Sequence, residues 1–76
     1  MTTAQKSLIV FDSGLAFQIY NKPVRFDQIW DIRMFWKHVE SDGSLFMANT
    51  DHKGFADIDD CLDDMIKYLK EYEKTN

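Results

Sequence analysis

The chain has 76 residues and one cysteine, so a single small core must stabilise it without an internal disulfide, and a disulfide-stapled secreted scaffold is excluded. Its net charge is −4, and residues 57–76 carry all of it, with seven acids against three lysines. Such a region repels nucleic acid and anionic membranes and attracts basic protein surfaces. We expect one cytoplasmic α+β domain over residues 1–76, with residues 1–6 disordered.

The first predicted elements are two short strands in the segment SLIVFDSGLAFQIYN, residues 7–21. Gly14 permits the positive φ of a tight hairpin turn, so the two strands are expected to meet there. The run LIVF is apolar without alternation, which is typical of a strand that is covered on both faces or whose second face meets a partner. The second strand alternates from Leu15 to Tyr20, and Pro23 is expected to end it.

The next element, IWDIRMFWKHV at residues 29–39, holds both tryptophans of the chain. With a period of two residues, one face carries an unbroken apolar row, which is expected to form the core under a C-terminal helix. A helix with Asp27 as its N-cap is the alternative, but it would place charged residues inside the apolar stripe. The sequence therefore predicts a strand. Its apolar row consists of Trp30, Ile32, Met34 and Trp36.

The C-terminal half is predicted to hold a further strand, LFMAN at residues 45–49, and then an amphipathic helix. Asp57 stands at the N-cap position with Asp60 three residues later, and apolar residues from Ile58 to Tyr72 follow helical spacing for about four turns. The predicted fold class is α+β. It has a small antiparallel sheet of three or four strands with one amphipathic helix packed on one face, in the order β-β-β-β-α.

Acidic side chains gather on the exposed arc of this helix. The helix dipole favours carboxylates in the first turn, whereas Asp63 and Asp64 each face a like charge four residues earlier. Two interpretations stay open, a solvated face and a surface that binds a basic protein. The residues of this acidic face are Asp59, Asp60, Asp63, Asp64 and Glu71.

One helix covers one face of the sheet, which leaves the other face as a second candidate binding surface. Aromatic residues beside arginine and lysine are typical of interfaces. This outer face is predicted to contact a partner or a second copy of the chain; the alternative is that twisted strands and loops hide it. Its residues are Tyr20, Arg33, Phe35 and Lys37.

The sequence contains no motif of a catalytic, metal or phosphate site. Cys61 lies on the apolar stripe of the helix, where burial raises a thiol's pKa, and it is expected in the core. His38 and His52 lack the spacing of a zinc site, and residues 49–60 depart from a calcium loop because Lys53 occupies a ligand position. We expect no enzymatic activity, no cofactor and no metal.

These features favour a small non-enzymatic protein that binds another protein. The expected target has a basic surface, such as the nucleic-acid cleft of a nuclease or nucleoprotein complex, which the acidic helix would occlude by mimicking nucleic acid. In size, acidity and lack of a catalytic set, the chain is similar in kind to small phage-encoded inhibitors, anti-CRISPR proteins among them, and to nuclease immunity proteins. Two alternatives stay open, a sheet module for single-stranded nucleic acid and a homodimeric structural or regulatory domain. The main interpretation expects neither direct nucleic-acid binding nor a membrane partner.

Overall fold

The computed structural model describes residues 1–39, 45–48 and 54–75, and it describes side chains for 1–39 and 54–72. β1, β2 and β3 lie in that order in an antiparallel sheet, with β1 at one edge. The predicted α+β class, with a C-terminal helix and an antiparallel sheet, is confirmed. In chain order the elements are α1 (Thr3–Asp12), β1 (Ala16–Phe26), β2 (Ile29–Val39), β3 (Leu45–Ala48) and α2 (Ile58–Thr75).

The N-terminal segment forms helix α1, so the prediction of a first strand at LIVF is wrong. The reason is a capping box: the Thr2 hydroxyl accepts the backbone N–H of Gln5, and the Gln5 side chain accepts the backbone N–H of Thr2. Residues 3–6, expected to be disordered, form the first turn of α1. Gly14 does adopt a positive φ of 79°, but it joins α1 to β1 rather than two strands.

β1 and β2 form an antiparallel hairpin of two 11-residue strands, which confirms the strand predicted at residues 29–39. At its tip, Asp27 and Gln28 have φ values of 44° and 68°, the positive values that a two-residue type I′ turn requires. Asp27 is therefore a turn residue and not a helix N-cap. Pro23 lies within β1 instead of ending it, because an edge strand can turn a missing N–H away from its neighbour.

The core lies between α2 and the half of β2 that leads to β3. Asp57 caps α2 as predicted, because its carboxylate accepts the backbone N–H of Asp60 at 3.0 Å. Helix α1 packs along α2 rather than on the sheet and contributes Val10 to the core. The buried cluster consists of Val10, Trp36, Cys61, Leu62, Met65, Ile66 and Leu69.

Helix α2 covers part of the apolar row of β2. Phe55 and Met34 exchange two backbone hydrogen bonds of 2.8 and 2.9 Å, which sets the start of α2 level with Met34. From there α2 runs toward the C-terminal end of β2, where it contacts Trp36 and His38. The N-terminal half of β2 therefore extends beyond the helix.

The predicted burial of the apolar row is confirmed for Met34 and Trp36 and wrong for Trp30 and Ile32. Trp36 is 2% exposed and Met34 packs against the core, as predicted. Trp30 and Ile32 share their face but are 66% and 60% exposed, because they precede the point where α2 begins.

Candidate functional site

Helix α1 occupies part of the acidic face. Lys6 Nζ lies 3.1 Å from the Asp63 carboxylate and 3.7 Å from the Asp59 carboxylate, and the Thr3 hydroxyl also donates to Asp59. The pKa of Lys6 is raised, mainly because its ammonium donates a hydrogen bond to Asp63. The two carboxylate side chains are still 48% and 57% exposed. They therefore hold α1 against α2 and also face solvent.

Asp64 of the acidic face is bonded to the core. Its carboxylate accepts a hydrogen bond of 2.7 Å from Trp36 Nε1, across the interface between α2 and β2. Asp60 and Glu71 are exposed. The acidic face thus consists of two carboxylates that pair with Lys6, one that anchors Trp36, and two that face solvent.

The residues predicted for the outer face do share one face of the hairpin. Tyr20 lies opposite Phe35 in the strand register, and their rings stack with centroids 5.8 Å apart. Lys37 Nζ lies 5.2 Å from the centre of the Tyr20 ring, and Lys22 Nζ lies 5.6 Å from that of Phe35. These cation–π contacts fix the lysine side chains over the aromatic rings.

The chain itself covers part of the outer face. Phe35 is 7% exposed, because the backbone of Gly54 packs on its ring so closely that a Cβ there would lie 2.8 Å from ring atoms. Arg33 lies 4.9 Å over the ring of Phe26 and pairs with Asp31 at 2.9 Å. Phe35 is consequently a buried residue that is not placed to stack on a nucleic-acid base.

Among the side chains that the structure describes in β1 and β2, the most exposed apolar ones form the hairpin arm, defined as Ile29, Trp30 and Ile32. Trp30 and Ile32 share the face of Trp36, whereas Ile29 lies on the outer face opposite Phe26 in the strand register. These three side chains are 70%, 66% and 60% exposed. The sequence pattern missed this surface, since it gives the face on which a residue lies but not how far the helix reaches. That reach depends on the long-range pairing of Phe55 with Met34, which no local pattern reveals.

The sequence pattern also did not indicate that His38 is buried. His38 is 2% exposed, and its Nδ1 lies 2.6 Å from the Tyr68 hydroxyl. The rings of Phe17, Tyr68 and Tyr72 surround it with centroids 5.5 to 5.6 Å away. This enclosed cluster is placed to hold α2 on the sheet rather than to meet a substrate.

Cys61 is a core residue, as predicted, with no exposed surface. Burial, with a smaller effect from the Asp64 carboxylate, raises the pKa of its thiol to about 11, so it is a poor nucleophile at neutral pH. Across residues 1–39 and 54–72, no group of three or more His, Cys, Asp or Glu side chains is arranged to hold a metal ion. Residues 49–53, which include His52 and part of the calcium-like segment, lie outside the described residues.

Comparison of the chain with protein-family models, curated proteins and solved structures gives no match. In the described part of the chain, neither helix is both long and apolar enough to cross a membrane. Two surfaces remain as candidate binding sites, the hairpin arm and the acidic face.

Proposed function

We propose that this protein acts without catalysis, by binding another protein through the hairpin arm, and that the acidic helix α2 selects a basic partner. The observation that carries the proposal is the exposure of Trp30 and Ile32, at 66% and 60%, on the same strand face where Trp36 is buried. A row of apolar side chains that continues past its covering helix has the form of a core that a second protein completes.

The composition of the arm suits a protein-binding patch. At about 200 Å² for a large side chain, the exposed parts of Trp30 and Ile32, which share one face of β2, add up to roughly 250 Å². The largest apolar patch on a monomeric protein measures about 300–600 Å² and is often functional, so this patch approaches that range. Tryptophan is also among the residues that contribute most to binding energy at interfaces.

The arm is held in a fixed shape, which favours binding. The positive φ values of Asp27 and Gln28 form its turn, and Arg33 of β2 links the strands by lying over Phe26 of β1. An ion pair with Asp31 of the same strand positions the Arg33 side chain. A preorganised surface loses less conformational entropy when it binds, so more of its contact energy contributes to affinity.

The charge of α2 favours a basic partner. Helix α2 begins level with Met34, directly after the arm, so a protein that contacts the arm also meets the first-turn carboxylates. Asp60 is exposed there, and Asp59 and Asp63 are about half exposed in spite of their pairing with Lys6. A negative field beside an apolar anchor speeds encounter with a positive surface and disfavours acidic partners.

A surface that normally binds nucleic acid has the required positive charge. The proposed mode of action is therefore inhibition: the bound chain occludes the basic surface of a nuclease or nucleoprotein complex, in the manner of an anti-CRISPR-like or immunity-like protein. Affinity comes from the arm, and the choice of surface comes from the carboxylates.

The test is affinity capture from a host lysate, followed by mass spectrometry and by affinity measurement with the purified target. The variant W30S/I32S removes the arm, and L8S is the matched control, because Leu8 is 59% exposed on α1. We expect the wild type and L8S to retain the same basic, nucleic-acid-handling protein and the arm variant to lose it. Circular dichroism of each variant confirms that the fold is intact.

A second variant tests the role of charge. Asp60→Lys together with Glu71→Lys should weaken binding, and the difference from wild type should shrink as salt rises. A target that the arm variant binds with unchanged affinity would refute the arm as the contact. Failure of the wild type to capture any protein, together with direct binding of a single-stranded oligonucleotide, would favour a nucleic-acid-binding module instead.

A further inference from the structure

We propose that the chain forms a two-fold homodimer through the α1–β1 face, which consists of Phe11, the apolar groove that it borders and the first half of β1, residues 16–21. The proposal goes beyond the function proposed above, because it uses neither the hairpin arm nor the acidic face. Three observations carry it: an apolar groove beside a protruding aromatic ring, a strand edge available for pairing, and the local absence of charge.

The groove lies between α1 and β1, which do not pack on each other. Its volume is about 540 Å³, and the apolar side chains of Val10, Leu15 and Phe17 line it, with Leu62 and Met65 of α2 also contributing. Volumes of this order hold drug-sized ligands in other proteins, so the groove has room for an aromatic side chain.

Phe11 stands at the rim of this groove and is 81% exposed. A protruding ring and an apolar hole therefore lie on the same patch. A two-fold axis brings the same patch of both subunits together, so the Phe11 ring of each copy can enter the groove of the other. This self-complementarity is the reason for choosing a second copy as the occupant.

Within the described residues, β2 is the only strand that pairs with β1, which leaves the other edge of β1 available for pairing. β1 is the edge strand of the sheet, and its second half carries Lys22, Pro23 and Arg25, which are residues that protect edges against pairing. The first half, residues 16–21, has neither proline nor a charged side chain. Antiparallel pairing of these halves across a two-fold axis would extend the sheet through both subunits.

Charge also favours a second copy at this face. Residues 7–21 contain one side chain that is charged at neutral pH, Asp12, whereas the chain as a whole carries −4. Two copies of an acidic protein repel each other at most orientations, and a nearly neutral face is where they can approach without bringing like charges together.

The groove adds to the apolar surface that the exposed side chains provide. Phe11 and Ile19 line the groove and are 81% and 41% exposed, so at about 200 Å² for a large side chain their exposed parts amount to roughly 250 Å². A standard interface buries about 800 Å² per partner, of which about 65% is apolar in homodimers, or roughly 500 Å². The walls of the groove and the backbone of β1 have to supply the remaining area.

The first test is sedimentation equilibrium of the full-length protein with light scattering, over about 10 to 200 μM. We expect the wild type to approach about 18 kDa, twice the chain's 9.0 kDa. Phe11→Lys should remain near 9.0 kDa, since it places a cation at the apolar contact. Ile29→Lys is the matched control, because it makes the same charge change at a residue that is 70% exposed on the arm, and it should still dimerise.

The second test is amide hydrogen exchange, which locates the contact. In the wild-type dimer, the backbone amides of residues 16–21 should exchange at least tenfold more slowly than in Phe11→Lys, while residues 22–26 should not change. If the wild type stays monomeric throughout the concentration range, the proposal is overturned, even if the groove binds an apolar dye. A dimer that Ile29→Lys dissociates and Phe11→Lys leaves intact also overturns it, and would place the contact on the arm.

Discussion

Asp64 belongs by position to a row of solvent-facing carboxylates, yet it accepts the indole N–H of Trp36 at 2.7 Å. Hydrogen bonds to charged groups contribute about 1.5–3 kcal/mol, so we expect Asp64→Ala to lower the free energy of unfolding by about that amount. Asp64→Asn should cost less, since its amide oxygen can still accept. Urea unfolding followed by circular dichroism measures both. Glu71→Ala, at an exposed carboxylate of the same helix, should change stability by less than about 0.5 kcal/mol. Equal effects at the two positions would contradict a specific role for the bond.

Cys61 makes the stability depend on pH in the alkaline range. Burial raises the pKa of its thiol from 9.0 to about 11, so the folded chain holds this proton more tightly than the unfolded chain does. The resulting stability is complete below pH 9 and is lost as the pH rises toward 11. We expect the wild type to lose stability more steeply over this range than Cys61→Ser, whose hydroxyl does not ionise there. Parallel pH profiles of the two proteins would show that the thiol is not the source.

Among the described residues, two glycines in connections between elements have the same backbone conformation and different surroundings. Gly14 and Gly54 have φ of 79° and 72°, but a Cβ would meet nothing within 4 Å at Gly14, whereas at Gly54 it would lie 2.7 Å from Arg33 Cβ. Gly14→Ala should cost only the conformational strain, about 1–2 kcal/mol. Gly54→Ala should cost a further 1–3 kcal/mol or so, since Arg33 and Phe35 have to move. The difference between the two variants in urea unfolding measures how tightly Gly54 closes the outer face. Equal losses would mean that this contact is loose.

Strand β2 and the start of helix α2 could be predicted, because short stretches of sequence determine them. The period of two residues in β2 and the aspartate cap of α2 each act over a few residues, and both were interpreted correctly. Helix α1 was missed although its signal is present. Thr2 and Gln5 have the spacing of a capping box, but the uninterrupted run LIVF that follows has no period and favours a strand.

The candidate sites were harder to predict, because they depend on pairs of residues far apart in the chain. Lys6 meets Asp59 and Asp63 only because α1 lies along α2, and no helical wheel of α2 shows this. The arm residue Trp30 is exposed only because the pairing of Phe55 with β2 sets where α2 begins. Sequence periodicity assigned the correct strand face to each residue, but it could not show how far along that face helix α2 extends.

On the scale of the whole molecule, charged and uncharged surfaces are separated. The C-terminal helix carries exposed carboxylates, the outer face carries Lys22 and Lys37, and the α1–β1 face is almost uncharged. The two proposed contacts should therefore respond to salt in opposite ways. In about 1 M NaCl the screening length falls to roughly 3 Å, which weakens attraction between exposed charges but not apolar burial.

We expect the homodimer to persist or tighten between about 0.05 and 1 M NaCl, because screening also reduces the repulsion between two acidic chains. A basic partner held by the arm and attracted by the carboxylates of α2 should bind more weakly over the same range, because only the charged part of the contact is screened. Sedimentation of the isolated protein and elution of the captured target, in the same series of buffers, measure the two responses independently. Salt that dissociates the dimer would show that the copies meet through charged side chains, which the α1–β1 face does not provide. If salt leaves the affinity for the captured target unchanged, the carboxylates of α2 have no part in choosing it.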